Sequence, residues 1–227
     1  MNLKEKWIQI TFFAVLICEL IICTLPALFV LIPNENVMIL IALLLPSLLP
    51  LSVIFAISGT SLGREMWKAL GFKPFSIADI RPVLSVIPLF FLFAGATALL
   101  KLFGANIQPQ SLVSFAKDCP AWQFYLIVLT AVVLAPVSEE LIFRCISAGF
   151  FKKIFPEQKW IYYTVPSLLF AVCHGINWQS CQLFFLALYL QKHFFYGSTT
   201  RVILMHSLFN WCSISFLILN RLGILPE

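Results

Sequence analysis

Residues 121–151 read AWQFYLIVLTAVVLAPVSEELIFRCISAGFF, an apolar run that is interrupted by two glutamates and one arginine. A helix that crosses about 30 Å of hydrocarbon needs roughly 20 apolar residues, and this run exceeds that length. Its excess length and Pro136 predict that the helix is tilted or kinked. The stretch therefore predicts a transmembrane helix that carries charged side chains into the bilayer.

The whole chain has the composition of a membrane protein. Of its 227 residues, 61% are hydrophobic and 11% are charged, and the mean hydropathy is +0.96. A soluble domain is about 45–50% apolar and about 25% charged, so this chain lacks the polar residues to cover a water-facing surface. A soluble globular enzyme and a disordered protein are both excluded. The seven cysteines lie mostly in apolar runs and are expected to be reduced and buried.

Further apolar runs flank this stretch on both sides. The predicted spans are residues 7–32, 37–58, 82–100, 121–151, 160–177, 181–195 and 200–219, with a polar loop over 64–81. We predict an all-α fold, a polytopic transmembrane helical bundle of about seven spans, within a range of about six to eight. Residues 1–120 form N-terminal transmembrane helices without a recognisable motif, and residues 121–227 form the region that carries the polar side chains discussed below.

The cations are divided unequally between the two sides of the predicted membrane. With the N-terminus in the cytoplasm, eleven of the 15 lysines and arginines lie inside and three lie outside, in agreement with the positive-inside rule. The inside cations are Lys4, Lys6, Arg64, Lys68, Lys73, Arg81, Lys152, Lys153, Lys159, Lys192 and Arg201, and the outside ones are Lys101, Lys117 and Arg221. We expect a cytoplasmic N-terminus, and we interpret the basic balance as a topology signal rather than as nucleic-acid binding.

Several polar side chains fall inside the predicted spans, where an ionisable group costs at least about 2.5–3.5 kcal/mol. They are Glu19, Glu139, Glu140, Arg144, His174, His206 and Asn210. Glu140 and Arg144 are four residues apart and can form an ion pair on one helix face. Glu139 is rotated about 100° from Glu140 and has no such partner. Glu19 lies outside every motif, and we expect it to have a structural role.

This set of polar side chains contains the parts for peptide hydrolysis. A carboxylate can take a proton from water, and an imidazole can orient that water or protonate the leaving amine. A second imidazole and an amide can stabilise the oxyanion. Counted along helices, Glu139 and His174 each lie about 20 Å from the cytoplasmic end, whereas His206 lies about 10 Å from it. His206 meets the other two only if the last helix begins in a recessed cavity.

Three motifs follow one another along the chain: Glu139-Glu140-x-x-x-Arg144, Phe170-x-x-x-His174 and His206-x-x-x-Asn210. In this order they resemble the motifs of the CPBP family of CAAX prenyl endopeptidases and bacteriocin-processing or Abi-type membrane proteins. The resemblance covers residues 121–210 and implies a helical intramembrane endopeptidase with a cavity open to the cytosol. It also implies that Glu140 and Arg144 support the architecture of the site. Cys145 is a departure, because many members have a small residue, commonly glycine, after the arginine.

The resemblance implies roles for the other motif residues and a class of substrate. Glu139 is the base that activates water together with His174, while His206 and Asn210 line the oxyanion site. The substrate is a peptide or protein at the membrane, either CAAX-like or a leader peptide. No cofactor is expected. Because the compact size suits the bacterial members, we expect an integral multi-pass protein of the bacterial cytoplasmic membrane that contacts the lipid bilayer and no nucleic acid.

Three other functions stay open on the sequence alone. In a zinc peptidase, Glu139, His174 and His206 would supply a His₂Glu ligand set, although the chain has no H-E-x-x-H motif. A non-catalytic bacteriocin-immunity or scaffold protein would keep the fold without activity, but it would not need Glu139 unpaired at mid-membrane. A transporter also places polar groups at mid-depth, but no matching pair of broken segments is present. A Cys–His protease is disfavoured, because Cys173 and His174 are adjacent and would point about 100° apart on a helix.

Overall fold

The computed structural model describes residues 6–28, 32, 34–58, 70–108 and 111–224. Within those residues the regular secondary structure is helical and no strand is present, so the all-α prediction is confirmed. Lys4, Arg64 and Lys68, on which the orientation prediction partly depends, lie outside the described residues.

The helices are labelled in chain order, and the long helix from Ala121 to Ile154 is treated as one element. They are α1 (Trp7–Leu28), α2 (Glu35–Ser58), α3 (Ile77–Leu84), α4 (Val86–Leu102), α5 (Ser111–Asp118), α6 (Ala121–Ile154), α7 (Lys159–Cys173), α8 (Trp178–Phe195) and α9 (Thr199–Arg221). Helix α6 lies centrally and packs against α1, α2, α7 and α9. It therefore positions its polar residues in the interior of the bundle.

Four helical segments within the described residues are long and apolar enough to cross a membrane. They are Glu35–Ile57, Ile77–Leu102, Ala121–Ile154 and Thr199–Arg221. Helix α1 is apolar as well, over Trp7–Glu19. These segments are those of an integral membrane protein, and the count of about seven spans stays a prediction.

Helix α3 begins inside the stretch 64–81 that we predicted to be a polar loop, so the loop prediction is wrong at its C-terminal end. The backbone N–H of Ser76 donates to the Asp79 carboxylate over 2.8 Å. The Ser76 hydroxyl donates to the same oxygen over 2.9 Å. This local capping starts α3 at Ile77 and places Arg81 in the helix.

Helices α7 and α8 form a hairpin. Its tip contains the residues that we predicted to be the end of the span 160–177, so that prediction is wrong at its C-terminal end. Helix α7 already ends at Cys173, because Gly175 adopts a left-handed backbone conformation with φ of 98°. Asn177 then caps α8 by accepting the backbone N–H of Ser180 over 2.9 Å. With its 15 residues, α7 extends about 22 Å, less than the hydrocarbon thickness of about 30 Å. His174 therefore lies at the tip of a hairpin and not within a span.

The two ends of the bundle differ in charge. One end, called here the basic end, holds the described cations Lys6, Lys73, Arg81, Lys152, Lys153, Lys159, Lys192 and Arg201. The other, called here the opposite end, holds Lys101, Lys117 and Arg221. The guanidinium of Arg221 donates to Ala116 O over 2.8 Å and to Cys119 O over 3.0 Å, which ties the end of α9 to α5. The described cations are thus grouped as predicted, and which end faces the cytoplasm stays a prediction.

Helix α9 begins below the surface of the basic end. Thr199 is fully buried, its hydroxyl donates to Leu70 O, and its oxygen lies 3.4 Å from Cys145 Sγ. Cys145 lies nine residues before Ile154, the last residue of α6, or about 13 Å along the axis. The last helix therefore has the recessed start that the sequence argument requires, and His206 reaches the level of Glu139.

Gly175 provides a test of the hairpin tip. A side chain in the left-handed conformation costs about 1–2 kcal/mol, so Gly175→Ala should lower the thermal stability of the purified protein. Gly95→Ala is the matched control, because a Cβ at this position in α4 meets no atom within 4 Å and replaces glycine in a helix. The control should keep or raise the Tm. Equal Tm values for the two variants would contradict the account of the tip.

Candidate active site

Polar side chains from three helices meet inside the bundle. Glu139 of α6 lies between His174, at the end of α7, and His206 of α9. Glu139 Oε1 is 3.9 Å from His174 Nε2, and Glu139 Oε2 is 3.6 Å from His206 Nε2. Both distances exceed the range of a direct hydrogen bond between nitrogen and oxygen. The structure therefore brings together the carboxylate and the two imidazoles singled out from the sequence.

His206 is held by the neighbouring glutamate of the first motif. Its Nδ1 lies 2.9 Å from Glu140 Oε1, and both side chains are almost fully buried. The other carboxylate oxygen of Glu140 lies 3.1 Å from Arg144 Nε, at the predicted spacing of four residues. Because an ionised carboxylate only accepts hydrogen bonds, this arrangement assigns a proton to Nδ1 and turns Nε2 toward Glu139. Sequence reasoning found the Glu140–Arg144 pair but missed the contact with His206.

Arg144 has no exposed surface, and its charge is only partly satisfied by Glu140. Its contact with Glu140 is an ion pair, and none of its three guanidinium nitrogens has a hydrogen-bond partner within the described part of the chain. The guanidinium carbon lies 4.8 Å from the centroid of the Phe170 ring, within the range of a cation–π interaction. The Phe170 ring also contacts His206 edge-on, with 5.7 Å between centroids. Phe170, which the sequence offered only as a motif marker, thus packs between the buried arginine and the histidine.

His174 is oriented by the backbone of its own helix. Its Nδ1 lies 2.8 Å from the carbonyl oxygen of Phe170, which can only accept a hydrogen bond. The ring proton therefore resides on Nδ1, and Nε2 faces Glu139. The His174 side chain is 31% exposed and that of Glu139 is 22% exposed, whereas that of His206 is 3% exposed. Glu139 and His174 are therefore the accessible members of the group.

Asn210 compensates for an irregularity in α6. Residues Thr130–Leu134 form a π-helical segment, in which the Ala135 N–H donates to Thr130 O. The next residue, Pro136, has no N–H, so Ala131 O lacks both of its ordinary helical donors. The Asn210 side-chain amide donates to Ala131 O over 2.8 Å. One of its two N–H groups is thereby committed to the backbone, and the π-helical segment is the adjustment that accompanies Pro136.

A cavity of about 240 Å³ contains the accessible side of this group. Among its lining residues are Glu139, His174, His206 and Asn210. Glu140 and Arg144 are fully buried beneath it and do not line it. Apolar side chains, including Leu43, Leu183 and Phe209, complete the walls. Of the six predicted site residues, four thus face a common space and two support it.

Glu19, His193 and Cys145 do not line this cavity. Glu19, half-buried on α1, is not part of the cavity lining. His193 lies near the end of α8, where its ring contacts that of Tyr189 with 4.7 Å between centroids. Cys145 is buried against the start of α9, and no disulfide joins the six cysteines whose side chains are described, Cys18, Cys119, Cys145, Cys173, Cys181 and Cys212. The expectation of burial is wrong for Cys173 and Cys181, which are exposed, and Cys212 is only half-buried.

No group of three or more His, Cys, Asp or Glu side chains among the described residues is arranged so that it could hold a metal ion. The zinc hypothesis therefore depends on the donors themselves. Two imidazole nitrogens without a ring proton and a carboxylate face one another, which is the donor set of many catalytic zinc sites.

The buried ion pair generates a prediction about stability. Arg144→Ala leaves the Glu140 charge buried without its partner, which typically costs about 3–5 kcal/mol. We expect a lower yield of folded protein in membranes and a lower Tm. The double variant Glu140→Gln/Arg144→Met removes both charges and should recover part of the loss. Wild-type Tm and yield for Arg144→Ala would contradict this role.

The comparison with known families agrees with this geometry. Residues 121–212 match the family model described as Type II CAAX prenyl endopeptidase Rce1-like. No curated protein and no solved structure matches the chain. The matched segment contains all three motifs and every residue of the group described above, so the resemblance to the CPBP and CAAX proteases is confirmed. Over residues 121–212 the chain is thus similar to the Rce1-like type II CAAX prenyl endopeptidases.

Proposed function

We propose that the protein is an intramembrane endopeptidase in which Glu139, together with His174, activates water to attack a peptide bond. The observation that carries this proposal is the position of the Glu139 carboxylate between two imidazole Nε2 atoms, at 3.9 Å and 3.6 Å. Groups separated by such distances are often bridged by one water molecule. The family match over 121–212 supports a protease of the CAAX type.

Glu139 acts as the general base in this proposal. Its carboxylate takes a proton from water while the water oxygen attacks the carbonyl carbon of the substrate. His174 Nε2, which carries no proton in the neutral ring, accepts the second hydrogen of that water and so orients it. The protonated Glu139 then gives its proton to the amine nitrogen as the peptide bond breaks. Protons are thereby balanced over the reaction, and the products are a carboxylic acid and an amine.

His206 and Asn210 stabilise the oxyanion in this proposal. Asn210 has a second N–H group besides the one that donates to Ala131 O, and the side chain faces the cavity. His206 Nε2 carries no proton in the neutral ring, so it can donate to the oxyanion only after the ring has taken a second proton from solvent, which it returns to solvent after the reaction. In that state Nδ1–H still donates to Glu140. Such donors are most effective when they are held in place before the reaction. Glu140 and Arg144 provide that constraint on His206.

The proposed substrate is a membrane-associated peptide, either CAAX-like, as the family implies, or a leader peptide. The cavity walls are largely apolar, and Leu43, Leu183 and Phe209 can contact apolar side chains next to the scissile bond. A zinc-dependent peptidase that uses Glu139, His174 and His206 as ligands is the second candidate, because two unprotonated Nε2 atoms face the carboxylate. A non-catalytic scaffold is the third.

The mechanism is tested by Glu139→Gln, which keeps the size of the side chain but removes the base. General-base catalysis is worth about 10²–10⁴-fold, so kcat should fall by at least that order while folded yield stays near the wild-type value. Cleavage can be followed by comparing the membrane peptidome with and without the active protein, and then with a synthetic peptide found in that comparison. Glu19→Gln is the matched control, because this half-buried acid lies outside the cavity lining, and it should keep most of the activity.

A metal arm of the same experiment separates the two enzyme proposals. Purified wild-type protein should contain no stoichiometric zinc and should keep its activity after strong chelation and desalting. Activity that is lost on chelation and restored by zinc alone would assign Glu139 to a zinc mechanism instead. If no cleavage depends on Glu139 or His174, the scaffold hypothesis is correct and the endopeptidase proposal is wrong.

A further inference from the structure

A second cavity, of about 480 Å³, lies between the start of α7 and the end of α8, at the basic end of the bundle. Among the residues that the structure describes, it shares none with the lining of the cavity that contains Glu139. Its described lining residues are Lys159, Trp160, Tyr163, Leu188, Lys192 and Tyr196. Two ammonium groups, an indole and two phenols thus surround one space, and the proposed reaction uses none of them.

The polar groups of this lining are hydrogen-bond donors. The two ammonium groups and the indole N–H can only donate, while the two phenol hydroxyls can donate or accept. Within the described part of the chain, none of these five groups has a hydrogen-bond or ion-pair partner. No carboxylate is among the described lining residues, and Glu157, the acid nearest in sequence, is exposed outside the lining. Donors with two positive charges suit an anion with several acceptor oxygens, such as a phosphate.

The surroundings of the second cavity add to its positive charge. Helix α7 begins at Lys159, its first turn holds no acidic residue, and Gln158 before it provides no side-chain cap. Since a helix N-terminus carries partial positive charge, a lysine there is unfavourable and a bound anion is favourable. The Nζ of Lys152 lies 5.1 Å from the centroid of the Phe195 ring, which stacks on Tyr163 with 4.9 Å between centroids. A third cation thus lies behind the aromatic wall of the cavity.

The second cavity continues into apolar surface in the direction of the hairpin tip. Lys192, Leu188 and Phe185 are separated by four and three residues and therefore lie on one face of α8. Leu188 lines the cavity about 6 Å along the helix axis from Lys192, and the Phe185 side chain is 55% exposed. Tryptophan and tyrosine beside lysine are typical of the membrane–water interface. A positive pocket joined to an apolar track matches the headgroup and acyl chain of a phospholipid, whereas a free phosphate would leave the track unused.

We propose that the second cavity binds an anionic phospholipid, with the headgroup phosphate between Lys159 and Lys192 and an acyl chain along Leu188 and Phe185. Basic pockets between membrane helices on the cytoplasmic side bind anionic lipid headgroups in this way. The two ammonium groups repel the quaternary ammonium of a choline headgroup, so the site selects lipids by charge. The inference does not depend on the endopeptidase proposal, because lipid binding requires no catalysis.

Native mass spectrometry of the purified protein tests this site by titration with phosphatidylglycerol and with phosphatidylcholine of the same acyl chains. The wild type should bind its first phosphatidylglycerol more tightly than its first phosphatidylcholine. A lysine beside an anionic lipid contributes about fivefold to affinity, so Lys159→Gln/Lys192→Gln should bind phosphatidylglycerol about 10–30-fold more weakly. Lys159→Arg/Lys192→Arg keeps both charges and should keep most of the affinity. Fluorescence-detected gel filtration confirms that each variant is folded.

The matched control is Lys101→Gln/Lys117→Gln, which removes the same number of cations at the opposite end and none from the second cavity. It should keep the wild-type affinity for phosphatidylglycerol. Equal affinities of the wild type for the two lipids would overturn the proposal, and so would equal losses in the two glutamine variants. Glycerol 3-phosphate, which has no acyl chain, tests for a soluble phosphate as the ligand. Its binding as tightly as phosphatidylglycerol would also overturn the proposal.

Discussion

The contact between His206 and Glu140, with Arg144 behind it, is the interaction on which the site depends. Glu140 and Arg144 have no exposed surface, and taking two charges out of water costs several kcal/mol for each ion. A hydrophobic pair would cost less, so the ion pair is poorly explained by stability alone. What it provides is a fixed acceptor at 2.9 Å for His206 Nδ1, which directs Nε2 toward Glu139. Adjacent glutamates thus have different tasks because they point to different sides of one helix.

The backbone around this contact is irregular in ways that serve the same geometry. Helix α6 contains two π-helical segments, Thr130–Leu134 and Glu140–Ser147, on either side of Glu139. The first leaves Ala131 O without a helical donor, and Asn210 from α9 donates to it. The α7–α8 hairpin stops at Gly175, which brings the end of α7 and His174 to the level of Glu139. Such departures from regular helices are common at functional sites.

Much of this arrangement could be predicted from the sequence because helical spacing carries the information. The four-residue spacing of Glu140 and Arg144 predicts their pair, and the order of the three motifs predicts the group around Glu139. From the sequence, His206 could be predicted to reach Glu139 only if α9 has a recessed start. That start depends on Thr199 packing against Cys145 and Leu70, which the sequence does not show. Residues that are far apart in the chain have no characteristic spacing in the sequence from which their contact could be predicted.

Other features could not be predicted because local irregularity has a weak signature. The predicted span 160–177 continues past Cys173, where α7 ends, because an apolar run does not show that Gly175 adopts a positive φ. Pro136 predicted a kink, but a proline does not specify that the adjustment is a π-helical segment with an orphaned carbonyl. The lining of the cavity also depends on side chains that α5 and α9 contribute together, and none of the three motifs predicts the contribution of α5.

The central claim is that both histidines are held through Nδ1 and present an unprotonated Nε2 to Glu139. Nitrogen-15 NMR of histidine-labelled protein in lipid measures this directly, because the shifts and the one-bond couplings to hydrogen distinguish the two ring nitrogens. His193 is assigned by its loss in His193→Gln. The account predicts that, in the neutral rings of His174 and His206, Nδ1 carries the proton and Nε2 does not. Neutral rings protonated on Nε2 at either residue would contradict it.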